Sequence, residues 1–169
     1  MRVVLVRHPT PLIEPGLCYG RLDIKVAPVE IARLASDSRM QGALTVWSSP
    51  AVRCLRVAEA TATAVGVPLR VDRRVWEIDF GDWEGQAWSE IDRAVLDRWA
   101  ADPVGFAPPG GESGAALIAR VRDFHAGLHE DCVVVSHGGP LKVLLSLLRG
   151  EPVDLLAPPP PVGSITVIG

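Results

Sequence analysis

The chain has 169 residues, 48% of them hydrophobic and 22% charged, with a formal net charge of −3. That is the balance of an ordinary globular protein, and the length suits one domain over residues 1–169 with a sizeable core. The balance excludes a basic nucleic-acid surface; with no apolar run of about 20 residues and no signal peptide at the N-terminus, it predicts a cytoplasmic protein off the membrane.

Residues 2–6 are predicted as the first strand, because Val3, Val4, Leu5 and Val6 form the unbroken apolar run of a strand buried on both faces. The run stops on Arg7 and His8. Residues 15–26 read as a loop, with Gly16, Gly20 and Asp23 as turn residues. A helix is predicted over 28–40, with Pro28 in its first turn and Ile31, Leu34 and Ala35 on one face. A second strand over 44–47 ends at Ser48-Ser49-Pro50. An Ala-rich helix over 51–65 spaces Leu55, Ala58, Ala62 and Val65 for burial and closes at Gly66.

Residues 69–71 form a short strand, and 76–86 are irregular and rich in aromatic rings. Helices are predicted over 88–101, stopped near Pro103, and over 113–129, with Ser113 as N-cap. A strand over 132–136, a helix over 140–148 and a strand over 165–168 complete the chain. The proline run 158–161 is a stiff extended connection to the last strand. Strand and helix alternate, so the fold class is α/β: a three-layer α/β/α sandwich around a mainly parallel sheet.

The run Val133-Val134-Val135-Ser136-His137-Gly138-Gly139 repeats the design of the first strand. Ligands of open α/β sheets bind outside the carboxyl ends of the strands. If the two strands are neighbours, His8 and His137 meet at one site. Arg7 lies beside them, and a charge placed straight after four apolar residues needs a partner. Arg53 sits one turn into a helix that follows another strand end. Gly138 and Gly139 open a helix whose bare amides favour an anion. Two imidazoles among guanidiniums suggest phosphate chemistry on a histidine nucleophile. Such chemistry also needs an acid, and the stretch from Glu77 to Glu84 supplies Glu77, Asp79, Asp82 and Glu84 among large rings. Cys18, Cys54 and Cys132 are scattered and odd in number, so they predict neither a disulfide framework nor a zinc site. His125 and His129 have no third ligand nearby in sequence and read as surface residues.

These motifs, in this order, resemble the histidine phosphatase superfamily, the phosphoglycerate-mutase-like proteins. The resemblance covers essentially the whole chain. It rests on Leu5-Val6-Arg7-His8, on Ser48-Ser49-Pro50 with Arg53-Cys54, and on Glu77-Ile78-Asp79-Phe80-Gly81-Asp82-Trp83-Glu84-Gly85. Pro109-Gly110-Gly111-Glu112-Ser113 and Val135-Ser136-His137-Gly138-Gly139 complete it. Arg7-His8-Pro9-Thr10-Pro11 and Pro15-Gly16-Leu17-Cys18-Tyr19-Gly20 are most similar to the α-ribazole phosphatase branch of cobalamin synthesis.

The resemblance implies a phosphomonoesterase that needs no cofactor and no metal, acting on a small-molecule phosphate ester as a monomer or a homodimer. It implies His8 as the nucleophile that becomes phosphohistidine, and Arg7, Arg53 and His137 as holders of the phosphoryl oxygens. Glu77 is implied as the acid that protonates the leaving group. Gly138, Thr10 and Ser136 are implied as further substrate contacts. The chain departs from the family pattern at Pro9, where glycine is usual, and at Glu14, where mutases carry an asparagine. The stretch between Trp88 and Pro109 is short beside the insertion of mutases, which favours hydrolysis. Phosphoglycerate mutase, protein phosphohistidine phosphatase and a non-catalytic phosphate-binding domain are the alternative readings.

Overall fold

A computed structural model describes residues 1–169. Its strands are β1 (Val3–Arg7), β2 (Thr45–Ser48), β3 (Leu69–Val71), β4 (Cys132–Ser136) and β5 (Ile165–Ile168). They form one sheet in the order β3-β2-β4-β1-β5, parallel except for β5, which runs antiparallel to β1. The connections carry α1 (Pro28–Ala35), α2 (Val52–Val65), α3 (Arg93–Ala101), α4 (Gly114–Ala126) and α5 (Gly138–Arg149). The expected α/β class with a mainly parallel sheet is therefore observed.

The unbroken apolar runs form β1 and β4, side by side at the middle of the sheet, where both faces are covered. Side chains alternate between the two faces. Val3, Leu5, Cys132 and Val134 pack with Leu117, Val121 and Phe124 of α4 and with Leu141 and Leu144 of α5. Val4, Val6, Val133 and Val135 pack with Leu34 of α1 and with Cys54, Val57 and Ala58 of α2. Each fully buried Val or Leu contributes about 1.5–3 kcal/mol, so these two cores fix the register of β1 on β4.

That register determines what happens at the strand ends. Arg7 lies opposite Ser136, and the His8 N–H donates to the Ser136 carbonyl at 3.1 Å, which carries the ladder one residue further. His8 continues the phase of Val4 and Val6, and His137 that of Val133 and Val135. Both imidazoles therefore turn to the α2 side of the sheet, while Arg7 and Ser136 turn to the α4/α5 side.

Helix limits differ from the sequence reading where polar side chains compete for the backbone. The first helix ends at Ala35 instead of continuing to residue 40. Asp37 then accepts the Arg39 N–H at 3.0 Å and starts a separate 3-10 turn, Ser38–Met40. The helix expected from residue 88 begins at Arg93, because Asp92 caps it through the Ala94 N–H at 2.8 Å. Trp88 instead joins Phe80, Trp83 and Trp99 in a cluster of rings. The helix after β4 begins at Gly138, directly after His137. Gly66 closes α2 with φ 78°, a left-handed conformation that glycine adopts without steric cost. No helix is long and apolar enough to cross a membrane.

Candidate active site

The two imidazoles meet at the carboxyl ends of β1 and β4, with ring centroids 5.2 Å apart and planes at 65°. His8 is 1% exposed, and its Nδ1 lies 2.7 Å from the Pro9 carbonyl oxygen. A carbonyl only accepts, so Nδ1 carries the proton and the Nε2 lone pair is left free. Burial, and then the charges of Arg53 and Arg7, lower the His8 pKa to about 3 against the pull of the Pro9 bond. The ring is neutral across the physiological range.

His137 is fully buried and is likewise held neutral, chiefly by burial and then by Arg53 and His8. Its Nε2 lies 2.7 Å from Ser49 Oγ, and the same hydroxyl accepts the Ala51 N–H at 3.2 Å. Ser49 thus fixes the orientation of the imidazole through Nε2. Cys54 Sγ sits 3.5 Å from His137 Nε2, and burial raises its thiol pKa to about 12, so it packs beneath the ring as a neutral group.

Two guanidiniums flank this pair. Arg53 is fully buried; it donates to the Leu22 carbonyl at 2.7 Å and to the Gly20 carbonyl, with Tyr19 beneath it at 5.4 Å. Arg7 donates to the Pro160 carbonyl at 2.6 Å. Neither takes part in any ion pair of the chain. The Nε–H of each is buried with no protein partner. A buried donor left unpaired costs about 1–3 kcal/mol, and the positive charge that no carboxylate offsets suits the place to an anion. Gly138, whose N–H belongs to the unpaired first turn of α5, packs against the Arg7 guanidinium.

Glu77 opens onto a cavity of about 280 Å³ that Arg7, Gly138 and Gly139 also line. Its Oε1 accepts the Ile78 N–H at 2.9 Å and its Oε2 the Gly139 N–H at 3.3 Å. Burial raises its pKa, and those two amides together with Arg53 and Arg7 pull only part of the way back. A Cβ at residue 139 would collide with Glu77 Oε1, so glycine there is what admits the carboxyl. Arg120 of α4 fixes the chain leading into it: it donates to the carbonyls of Arg74 and Trp76 at 2.7 Å and of Glu77 at 3.2 Å, while pairing with Glu112.

The other carboxylates of the motif have structural work. Glu84 accepts backbone N–H groups from Gly20 at 2.9 Å, Arg21 at 2.8 Å, Leu22 at 3.2 Å and Phe80 at 3.2 Å. It holds the loop whose carbonyls in turn hold Arg53. Glu84→Ala is expected to lower unfolding stability by about 2–3 kcal/mol, read as a shift of the urea midpoint at constant slope. An unchanged midpoint would remove that role. Asp79 accepts the Gly81 N–H at 2.9 Å and pairs with Arg21 at 3.3 Å, and Asp82 is exposed.

His8, His137, Arg7, Arg53, Glu77 and Gly138 thus converge. Two sequence candidates do not join them. The Ser136 hydroxyl donates to the Val75 carbonyl at 2.6 Å, because strand alternation turns it into the α4/α5 core. Thr10 is exposed on the loop beyond Pro9. Of the tryptophans, Trp99 lines the cavity. Trp76 lies between the guanidiniums of Arg21 and Arg73, each 4.9 Å from its ring. His129 is exposed and lies past the end of α4, so it shares no helix face with His125. Ser49, Arg120 and Pro160 were missed. The position of Ser49 at a strand end was the one available signal; the other two act across long sequence separations.

The sequence matches the histidine phosphatase superfamily (branch 1) over residues 3–169. Among curated relatives, glucosyl-3-phosphoglycerate phosphatase of Mycolicibacterium vanbaalenii is 30% identical over 171 residues, covering 90% of this chain and 76% of its own. Phosphoserine phosphatase 1 of Hydrogenobacter thermophilus is 29% identical over 174 residues, covering 92% and 78%. Among solved structures, the α-ribazole phosphatase of Shigella flexneri superposes with a TM-score of 0.87 at 24% identity, covering 100% of this chain and 90% of its own, a likeness of fold.

Proposed function

This chain belongs to the histidine phosphatase superfamily and is a phosphatase, and from that premise we propose that it hydrolyses phosphomonoesters through a phosphohistidine on His8. One observation carries the reading. The β1–β4 pairing sets two neutral imidazoles 5.2 Å apart beside two guanidiniums, Arg53 buried and Arg7 half-buried, that have no carboxylate partner. His8 Nε2 attacks phosphorus in line as the bond to the ester oxygen breaks. Arg7, Arg53, His137 and the Gly138 N–H take the charge on the three non-bridging oxygens. The Glu77 proton passes to the departing oxygen, which leaves as an alcohol. Glu77, now a carboxylate, takes a proton from water. That oxygen attacks phosphohistidine, the N–P bond breaks, and inorganic phosphate and neutral His8 result.

The guanidiniums supply the positive charge here, and no group of three His, Cys, Asp or Glu side chains is placed to hold a metal ion. EDTA is expected to leave the rate unchanged, and strong inhibition would contradict this assignment. A rapid-quench experiment with ³²P-labelled p-nitrophenyl phosphate should trap an acid-labile, base-stable phosphoprotein; turnover without one would overturn the mechanism. The likeness of residues 7–11 and 15–20 to α-ribazole phosphatases makes α-ribazole 5′-phosphate one substrate to test, and Phe80 and Trp99 in the cavity wall offer flat surfaces to a ring. A panel of that ester, phosphoserine, glucosyl-3-phosphoglycerate and the phosphoglycerates tests the choice. Isomerisation of a phosphoglycerate without net release of phosphate would instead indicate a mutase.

A further inference from the structure

The cavity beside Glu77 holds a second cation that the hydrolytic steps do not use. Lys142 lies four residues after Gly138 on α5, so the two share a helix face about one turn, or ~6 Å, apart. Lys142, Arg7 and Gly138 line the same cavity, and Phe80, Trp99, Leu117 and Leu155 supply apolar wall. Lys142 Nζ donates to the Leu155 carbonyl at 2.6 Å. That uses one of three N–H donors. No carboxylate lies within ion-pair distance of it.

The charged groups around Lys142 do not neutralise it. Asp154 and Glu77 favour its charge only at longer range, and Arg7 opposes it. Asp154 is exposed and accepts the Leu156 N–H at 2.8 Å. Burial lowers the Lys142 pKa, as it does for a half-buried ammonium without a counter-charge. An anion arriving in the cavity would reverse that penalty.

We propose that Lys142 determines specificity by binding a carboxylate on the leaving group, so that the site prefers phosphomonoesters whose alcohol is a compact apolar body ending in a carboxylate. This rests on the phosphatase reading above and narrows it. The ribosyl-base leaving group of α-ribazole phosphate carries no carboxylate and falls outside the preferred class, which separates the two expectations for the substrate.

The bland role for Lys142 is a brace that ties α5 to the segment after it through the Leu155 carbonyl. The test compares 4-carboxyphenyl phosphate with 4-carbamoylphenyl phosphate, which match in shape and differ in charge. The ratio of their kcat/KM values does not depend on how much enzyme is folded. In the native protein it should exceed the ratio in Lys142→Met by about 10-fold or more, through KM, as a charge-assisted hydrogen bond would give. Lys142→Arg should retain most of the preference. A ratio equal in the native protein and Lys142→Met overturns the inference and leaves the phosphatase reading standing. A native protein inactive on both esters overturns both.

Discussion

His8→Ala is expected to lose about 10⁴–10⁶-fold in kcat on p-nitrophenyl phosphate, the cost of removing a nucleophile whose partners cannot act without it. The expectation follows from atoms. Pro9 holds the proton on Nδ1, so the lone pair sits on Nε2, and burial with two guanidiniums keeps that lone pair unprotonated well below neutral pH. Alanine leaves both cations in place, so the variant should still bind inorganic phosphate while failing to form the acid-labile phosphoprotein. His8 makes one side-chain hydrogen bond, to Pro9, and the cores on either side of the sheet do not include it. Its loss should therefore leave a cooperative unfolding transition. A variant that keeps more than about a hundredth of the native rate would remove His8 from the mechanism.

The sheet was legible because burial on both faces leaves a plain mark: β1 and β4 are unbroken apolar runs rich in Val, and such runs occupy the centre of an α/β sheet. Once they are neighbours, His8 and His137 must converge. Sequence order also located Arg53, because it follows a strand on the same edge of the sheet, and the stretch that holds the acid; the resemblance to the family singled out Glu77 within it. Four nearby carboxylates, by contrast, look alike in sequence. What separates them is position in space. Glu84 is saturated by backbone N–H groups, Asp79 is paired with Arg21, Asp82 is exposed, and Glu77 alone faces the cavity among buried groups.

Strand phase explains the rest of the disagreement. Ser136 sits beside His137 in sequence, but alternation sends its hydroxyl to the opposite face, to Val75. The partner of Arg7 lies 153 residues away in a proline run whose sequence promised only a stiff connection. The orientation of the His137 ring depends on Ser49, 88 residues earlier. Contacts of this kind carry no local pattern, and only the register of β1 on β4 and the packing of the loops reveal them.

Glu77→Gln should separate proton transfer from positioning. For an alkyl phosphate the departing oxygen is a strong base and needs a proton as the bond breaks, so kcat/KM should fall by about 10²–10⁴-fold. For p-nitrophenyl phosphate the departing phenolate is stable, and the loss in kcat/KM should stay below about 10-fold. The glutamine amide would set a donor against one of the two backbone N–H groups that now meet the carboxylate. A fault of position alone would lower both substrates equally, and equal losses would make another group the acid.

The pH dependence carries the same sign. Burial raises the Glu77 pKa, so the protonated acid persists to higher pH than in a free carboxyl, and kcat/KM for the alkyl ester should fall as pH rises through that raised value. The fall should be absent in Glu77→Gln. Folding is linked to the same proton: a carboxyl whose folded pKa is raised contributes stability below its unfolded value and loses it as pH climbs through the folded one. Relative to the native protein, Glu77→Gln should therefore gain stability on the alkaline side while losing activity on alkyl esters, the opposition expected of a carboxyl whose ionisation the fold penalises and whose proton catalysis needs.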